Sequence, residues 1–447
     1  MSGIAGINRS DQPGLVDRML DALAHRGRDW RELRYGKGTT FGALGSMLQE
    51  SDRLDLISNG LITDRASPEH FAQAGAVAAG FVLKRDTLGV RPLYYGWTPD
   101  GAFCFASEVK GLLPATHCIH EMPSGHTFDG QLLVMDSEVT VQDPMEETPD
   151  AIIAGLRERL EIAVAKRIGA GEVGSWLSGG LDSSVLAALA RPHVSKLHTF
   201  AAGLPGAPDL GFARIVAELI HSEHHERLIQ MDEIFSVLPD VIRALESFDA
   251  LLVRSSVMNY LVAKTASDFV PAVLSGEGGD ELFAGYEYLA SIPASGLPAE
   301  LVDITNRLHN TALQRVDRCS SAFGTVAHVP FLDPVVVEYA LKIPASLKRR
   351  DGIDKWILRQ AVMDALPASV TMRPKSKFWQ GAGIEDLLAR HAEGRISNAD
   401  FKRERVLPHG ESLNTKEELL YYRIFREHFG EFDDLSWMGR TKGAPVA

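Results

Sequence analysis

Apolar and polar positions follow two styles along the chain, and the style changes near residue 150. Up to about residue 140 the apolar residues come in short runs, such as "GAVAAGFVL" at 75–83 and "GAFCFAS" at 101–107. Turn signals such as "TPDG" and "PSGH" separate them. Runs of that kind predict short strands packed in sheets rather than long helices. "TVQDPMEETPD", 140–150, is acidic and carries two prolines, which reads as a linker. From Asp150 the period lengthens. "DAIIAGLRERLEIAVAKRI" repeats apolar residues at helical spacing, with Asp150 placed to cap the helix. A strand then runs to Leu177, followed by a loop and the helix "SSVLAALA". The strand "KLHTFAA", the helix "DLGFARIVAELI" and the strand "HHERLI" continue the alternation. Helices near 231–244 and 255–268 lead into the strand "PAVLSG", and residues after about 290 read as mainly helical. Alternating strands and helices imply an α/β fold with a parallel, doubly wound sheet. Ligands of such sheets bind beyond the carboxyl ends of the strands.

Composition narrows the function classes. The 447 residues suffice for two or three domains, and 45% hydrophobic content supplies a sizeable core. The net charge of −13 argues against a nucleic-acid partner, which needs a basic face. Cys104, Cys118 and Cys319 are far apart and show neither metal-ligand spacing nor a disulfide framework. They read as reduced, mostly buried thiols of a cytoplasmic protein. No run of 18 apolar residues predicts a membrane span, and the N-terminus lacks a signal pattern.

The candidate chemistry lies at two strand ends. "LSGGLDSS", 177–184, is not a Walker loop, because no lysine follows at the required spacing. It can still cradle an anion. Gly179 and Gly180 permit unusual backbone angles, and Ser183 and Ser184 open a helix whose positive end faces the ligand. The hydroxyls of Ser178 and Ser183 add hydrogen bonds. An acid within a phosphate loop would repel the ligand unless a metal bridges them, so Asp182 is a candidate Mg²⁺ ligand. The plainer reading is a glycine turn with a serine cap. In "LSGEGGDELFAGYEY", 274–288, Ser275 and Gly276 end a second strand and can approach a nucleotide closely. Asp280 is a second carboxylate at the same sheet edge, and two carboxylates beside a triphosphate suit bound Mg²⁺. Asp280 could equally cap the helix that follows it.

"LSGGLDSS" resembles the signature of the N-type ATP pyrophosphatases. "LSGEGGDELFAGYEY", "RVDRCSSAFGTVAHVPFLD" at 315–333 and "DKWILRQAVMDALPASVTMRPKSKFWQGAG" at 354–383 are similar to the asparagine synthetase and β-lactam synthetase family, in the family's order. The resemblance implies an ATP-dependent enzyme, with ATP and Mg²⁺, that adenylates a carboxylate of a small amino-acid-like substrate, releases pyrophosphate and lets an amine displace AMP. Leu177, Ser178, Gly179, Gly180, Asp182, Ser183, Ser275 and Gly276 would then bind the nucleotide, and Asp182 and Asp280 the metal. Glu277 matches the glutamate that handles the attacking amine, taking the proton that nitrogen must lose. Glu281 matches a position near the substrate, or is an ordinary helix glutamate. Lys375 matches the lysine on the α-phosphate and the developing oxyanion, with Lys377 as a neighbour that confuses the assignment. Arg315 and Lys355 are weaker candidates for substrate contact, reading otherwise as surface ion-pairing residues. A homodimer is one assembly left open.

"GIAGI", "HRGRDW", "RDTLGVRPLYYG" and "FASEVKGLL" resemble the family's amino-terminal glutaminase domain, an N-terminal-nucleophile sandwich of two sheets between helices. The implied organisation is a degenerate glutaminase-like domain at 1–139, a linker at 140–150 and a synthetase domain with a helical C-terminal part at 151–447. The family's cysteine nucleophile is Ser2 in this chain. "NGEIYN" becomes "NGLITD" at 59–64, with Leu61 replacing a polar ligand, and "GSDTE" is absent. A domain without nucleophile and anchors is expected neither to bind nor to hydrolyse glutamine. The nitrogen then comes from the substrate's own amine, from free ammonia, or from a peptide amine as in a lasso-peptide cyclase. Ring closure is favoured, with a tabtoxin-type monocyclic β-lactam synthetase as the example to test. "VAHVPFLD", 326–333, departs from "EARVPFLD" at Val326 and His328, which argues for an acceptor other than aspartate, or for drift at a packed helix end. A non-catalytic nucleotide-binding relative is the alternative from another class. Retention of Asp182, Glu277, Asp280 and Lys375 argues against it.

Overall fold

The computed structural model describes residues 2–46, 57–58, 61–77, 80–169, 171–374, 381–382, 384, 387–408 and 410–442. The first part of the chain is built of strands: β1 (Ser2–Ile7), β2 (Trp30–Gly36), β3 (Thr39–Gly45), β4 (Ile57–Ser58), β5 (Leu61–Ser67), β6 (His70–Val77), β7 (Gly80–Arg85), β8 (Tyr94–Trp97), β9 (Phe103–Ala106), β10 (Ile119–Glu121), β11 (His126–Phe128) and β12 (Leu133–Met135). They form two antiparallel sheets, ordered β10-β8-β9-β1-β3-β2 and β12-β11-β7-β6-β5-β4. Ile4, Phe41 and Phe105 of the first sheet meet Phe81, Leu83 and Phe128 of the second in one apolar layer. Strand alternation supplies these contacts, since every second side chain points inward. Helix α1 (Pro13–Ala22) buries Val16, Met19 and Leu20 and covers the outer face of β1 and β3.

A parallel sheet follows, made of β13 (Glu172–Trp176), β14 (Lys196–Gly203), β15 (Glu223–Leu228), β16 (Ala272–Leu274) and β17 (Val326–His328) in the order β15-β14-β13-β16-β17. Helices α2 (Pro149–Ala165), α3 (Leu181–Ala190), α4 (Pro208–Leu219) and α5 (Ala250–Ala266) connect or flank its strands. Its central strands are covered on both faces, so β13 and β14 are buried nearly throughout rather than on alternate residues. Going outward from β13, the chain proceeds one way to β14 and β15 and the other way to β16 and β17. The reversal opens a crevice at the carboxyl ends of β13 and β16. Shorter helices come after, including α6 (Gly279–Phe283), α7 (Ala312–Ser321) and α8 (Trp356–Ala361).

Two local expectations change, and the one of mostly buried cysteines holds for two of the three. Helix α2 is capped by Thr148, whose Oγ1 accepts from the Ala151 amide at 3.4 Å, and Asp150 lies within its first turn. Pro149 explains the shift, because its fixed φ and missing N–H suit the first helical position. Val326 and His328 lie on an edge strand, not at a helix end. Cys104 and Cys319 are buried, but Cys118 is exposed. Among the described residues no helix is long and apolar enough to cross a membrane.

Candidate active site

The crevice is a cleft of about 960 Å³ at the carboxyl ends of β13 and β16. Its first wall is the turn from β13 into α3. Gly179 holds φ +68, and a Cβ there would stand 2.4 Å from Phe212 Cβ, so only glycine fits the backbone and the space. The turn is tied by its serines. The Gly180 amide donates to Ser178 Oγ at 3.3 Å, Ser183 Oγ donates to Gly180 O at 3.2 Å, and the two serine hydroxyls lie 3.3 Å apart. Arg373, over the Phe212 ring, donates to Ser178 O at 3.3 Å and pairs with Asp209 at 2.5 Å.

The second wall is the loop from β16 into α6. Here the structure brings three charged groups together. Lys355 Nζ reaches the Asp182 carboxylate at 2.5 and 2.7 Å and Asp280 Oδ1 at 2.6 Å. Lys355 is only 2% exposed, so it is a buried bridge and not the surface ion-pairing residue expected from sequence. The glycines of "GEGGDELFAG" make the room. A Cβ at Gly276 would lie 3.0 Å from Asp182 Cβ, and one at Gly279 2.6 Å from Asp182 Oδ1. A Cβ at Gly285 would lie 2.0 Å from Lys355 Cε and 2.1 Å from Asp280 Oδ1. Two carboxylates converging at the sheet edge are donors of the right hardness for Mg²⁺. The ammonium between them already supplies one positive charge.

Glu277, Glu281, Tyr286 and Arg315 form the far end. Arg315 Nη2 pairs with Glu277 Oε1. Glu281 is buried and accepts from the Tyr286 hydroxyl at 2.5 Å. Burial, then the charges of Asp280 and Glu277, push the Glu281 carboxyl up to about 7. Burial, then Glu281, holds the Tyr286 hydroxyl protonated well above its usual range.

Leu177, Ser178, Gly180, Asp182, Ser183, Ser275, Gly276, Glu277, Asp280, Glu281 and Arg315 all line this cleft. Gly179 shapes the turn behind it. Lys375 and Lys377 lie outside the described residues. Lys355, Asp354, Arg359, Arg373 and Tyr286 also line it. All five fall within the quoted motifs, which were the signal available for them. Val326 and His328 do not line the cleft, which removes the argument drawn from them about the acceptor. His328 is half-buried near Arg167 and His70, and desolvation followed by those charges pushes its imidazole down to about 3. The Ser275 amide donates to its carbonyl at 2.8 Å.

The first-half motifs converge elsewhere. Ser2 Oγ donates to Asp64 Oδ1 at 2.8 Å, and Arg26 Nε donates to Ser2 O at 2.7 Å. Asp64 also pairs with Arg26 at 3.0 Å and with Arg91. Arg26 and Arg91 continue to Asp317 of α7 at 2.8 and 2.6 Å, and Arg26 to Glu108 at 2.5 Å. All of these side chains are buried. Leu61 is exposed on β5, opposite Gly75.

The asparagine synthase family matches residues 155–302 and 293–443, and the glutamine amidotransferase domain matches 71–143. A probable glutamine-hydrolysing asparagine synthetase of Dictyostelium discoideum is 33% identical over 387 residues, covering 78% of this chain and 69% of that protein. One from Schizosaccharomyces pombe is 36% identical over 392 residues, with 78% and 70% covered. The glutamine-hydrolysing asparagine synthetase B of Escherichia coli K12 is 33% identical over 392 residues, with 80% and 69% covered.

Proposed function

Because the chain belongs to the asparagine synthase family, we propose that it is an ATP-dependent C–N ligase that forms an amide without hydrolysing glutamine, and that the amine it uses is borne by its own substrate. The observation that carries the loss of glutamine hydrolysis is the state of Ser2. Its hydroxyl is spent on Asp64 inside a buried ionic network. The motifs that would line a glutamine site supply that network: Arg26 from "HRGRDW", Asp64 from "NGLITD", Arg91 from "RDTLGVRPLYYG" and Glu108 from "FASEVKGLL". Two guanidinium groups and two carboxylates gather around Ser2, and that engagement of its hydroxyl supports the reading that it does not attack a substrate amide.

In this reading residues 1–139 are a degenerate glutaminase-like domain, 140–150 a linker and 151–447 the synthetase. Phosphates rest on the turn at Ser178–Ser183, facing the first amides of α3. Asp182 and Asp280 would hold Mg²⁺, which neutralises phosphate charge when bound. Lys355 fixes both carboxylates and adds a positive charge beside the leaving pyrophosphate. The substrate carboxylate attacks the α-phosphorus of ATP, pyrophosphate leaves, and an acyl-adenylate remains. The amine nitrogen then bonds to the acyl carbon, the bond to AMP breaks, and the nitrogen gives its proton to a carboxylate. That proton is assigned to Glu277 at the far end, and its ion pair with Arg315, which would orient it, supports the assignment. Glu281, with its carboxyl near 7, is the reserve acceptor. Lys375 is assigned to the α-phosphate and the oxyanion.

Glu277 also suits attack by free ammonia, so ammonia-dependent asparagine formation is the second reading. Pyrophosphate release with ATP and Mg²⁺, aspartate and an ammonium salt, with products read by mass, separates the two. Loss of one water from an amino acid bearing both carboxylate and amine supports ring closure, and asparagine supports ammonia. Glutamine should yield no glutamate, and Ser2→Cys should not restore hydrolysis. Glutamate release by either protein overturns the loss of glutaminase activity.

A further inference from the structure

Away from the nucleotide turn, at the opposite margin of the parallel sheet, a second group of side chains converges. His198 stands on β14, and Glu223 and His225 on the edge strand β15, in a register that pairs His198 with Glu223 and Phe200 with His225. Positions two apart on a strand share a face, so all three side chains point the same way. His198 Nδ1 lies 2.9 Å from His225 Nε2. Glu223 Oε1 lies 3.9 Å from the first nitrogen and 3.7 Å from the second. The other oxygen of Glu223 accepts from Lys196 Nζ at 2.5 Å. On its far side His198 Nε2 is 3.1 Å from Glu172 Oε2 of β13. The His225 ring packs on Phe269, with centroids 3.9 Å apart.

We propose that His198, His225 and Glu223 form a site for a divalent transition ion of the zinc class, bound through His198 Nδ1, His225 Nε2 and Glu223 Oε1, with water completing the shell. Two imidazoles and a carboxylate favour such an ion over magnesium or calcium, which take oxygen donors. The spacing fits. Nitrogens bound to a tetrahedral ion at about 2.0–2.1 Å stand roughly 3.3 Å apart, so the two rings need open by only a few tenths of an ångström. Glu223 is half exposed and is held by Lys196 through its other oxygen only, so Oε1 can close the remaining distance by rotation. The independent mark of a metal site is Glu172. By accepting the Nε2 proton of His198 it leaves the Nδ1 lone pair facing His225. A carboxylate behind a ligating imidazole is the usual device for fixing ring and tautomer.

Without metal the pair is satisfied, because His225 Nε2–H donates to His198 Nδ1. Binding requires His225 to carry its proton on Nδ1 instead, so that both facing nitrogens present lone pairs. No net proton leaves the pair. The Lys196 ammonium opposes the ion but occupies only one oxygen of Glu223. A bound ion would cross-link the edge strand β15 to β14 and stabilise the chain by mass action. This site is independent of the amide-forming reading.

The test uses the full metal-free chain in excess Mg²⁺, so that oxygen sites are filled. Zn²⁺ is titrated by calorimetry and Co²⁺ by visible absorption. One Zn²⁺ per chain is expected, with cobalt d–d bands of a nitrogen-ligated ion. His225→Ala should weaken binding at least tenfold and remove the bands. Glu172→Gln should weaken it about 10- to 100-fold. Glu223→Gln changes an exposed side chain and decides the matter if His225→Ala does not fold. Unchanged affinity in Glu223→Gln and His225→Ala, or no zinc bound by the unaltered chain, overturns the site.

Discussion

Lysine is among the residues least often buried, because its ammonium costs several kcal/mol to desolvate unless paired. Lys355 is paired twice, with Asp182 and Asp280, and its φ of +51 is a backbone conformation that few non-glycine residues adopt. Both features place the ammonium where two carboxylates would otherwise repel each other. Lys355→Ala should therefore destabilise the metal-free chain by about 3 kcal/mol, the scale of a broken buried ion pair. A divalent cation should restore more thermal stability to the variant than to the parent, since it replaces the lost positive charge. Pyrophosphate release should fall about 10²-fold or more, the scale of a missing electrostatic donor. Thermal unfolding with and without Mg²⁺, set beside a pyrophosphate assay, reads both effects. Equal cation responses in variant and parent would sink the bridging role.

The element that builds the cleft is the loop and short helix from β16 into α6, and its glycines act through the space they leave. Gly279 has ordinary backbone angles, yet a Cβ there would stand 2.6 Å from Asp182 Oδ1 and 2.7 Å from Asp182 Cγ. Gly279→Ala should push Asp182 aside while the fold survives. Pyrophosphate release should drop about tenfold to 10²-fold, as misplacement of a catalytic group by an ångström does, with thermal unfolding little changed. An unfolded variant, or a fully active one, would contradict this account. The same loop marks how far sequence reasoning reached. The strand–helix alternation from residue 150 was legible because short buried runs bounded by turns alternate with longer stretches of helical period. The two glycine-rich loops were legible because each follows a strand and opens a helix. Strand β17 was not, because Val326–His328 spans three residues and carries no period. Burial of Lys355 was not legible either. It depends on the space left at Gly285, about 70 residues upstream, which reaches it only through the fold.

At the scale of the whole molecule, the two halves meet through buried charge. Asp317 of α7 receives Arg26 and Arg91 from the strand-rich half, and Arg318 beside it pairs with Glu246 at 3.0 Å. His70 also reaches across, to the Leu332 carbonyl at 3.0 Å. Buried ion pairs add little net stability over an apolar interface, but losing one partner strands the others. Burial alone would raise the Asp317 carboxyl, but Arg26, then Arg91 and Arg318, outweigh it and hold the group well below the usual carboxylate range. Its folded value lies below its unfolded one. The stability it confers is thus fully present above the unfolded value, about 3.9, and is lost as the pH falls further towards the folded value. Asp317→Asn should cost about 3–5 kcal/mol near neutral pH, because Arg26 and Arg91 keep Asp64 and Glu108 but lose the carboxylate between them. The variant should also lose part of the fall in stability that the parent shows below about pH 4. Thermal unfolding followed from neutral pH into acid, for parent and variant, gives both quantities. Parallel curves would mean that Asp317 is not what joins the halves. A steeper acid loss in the parent alone would identify the buried network around Ser2 as the same one that holds the strand-rich half on the parallel-sheet half.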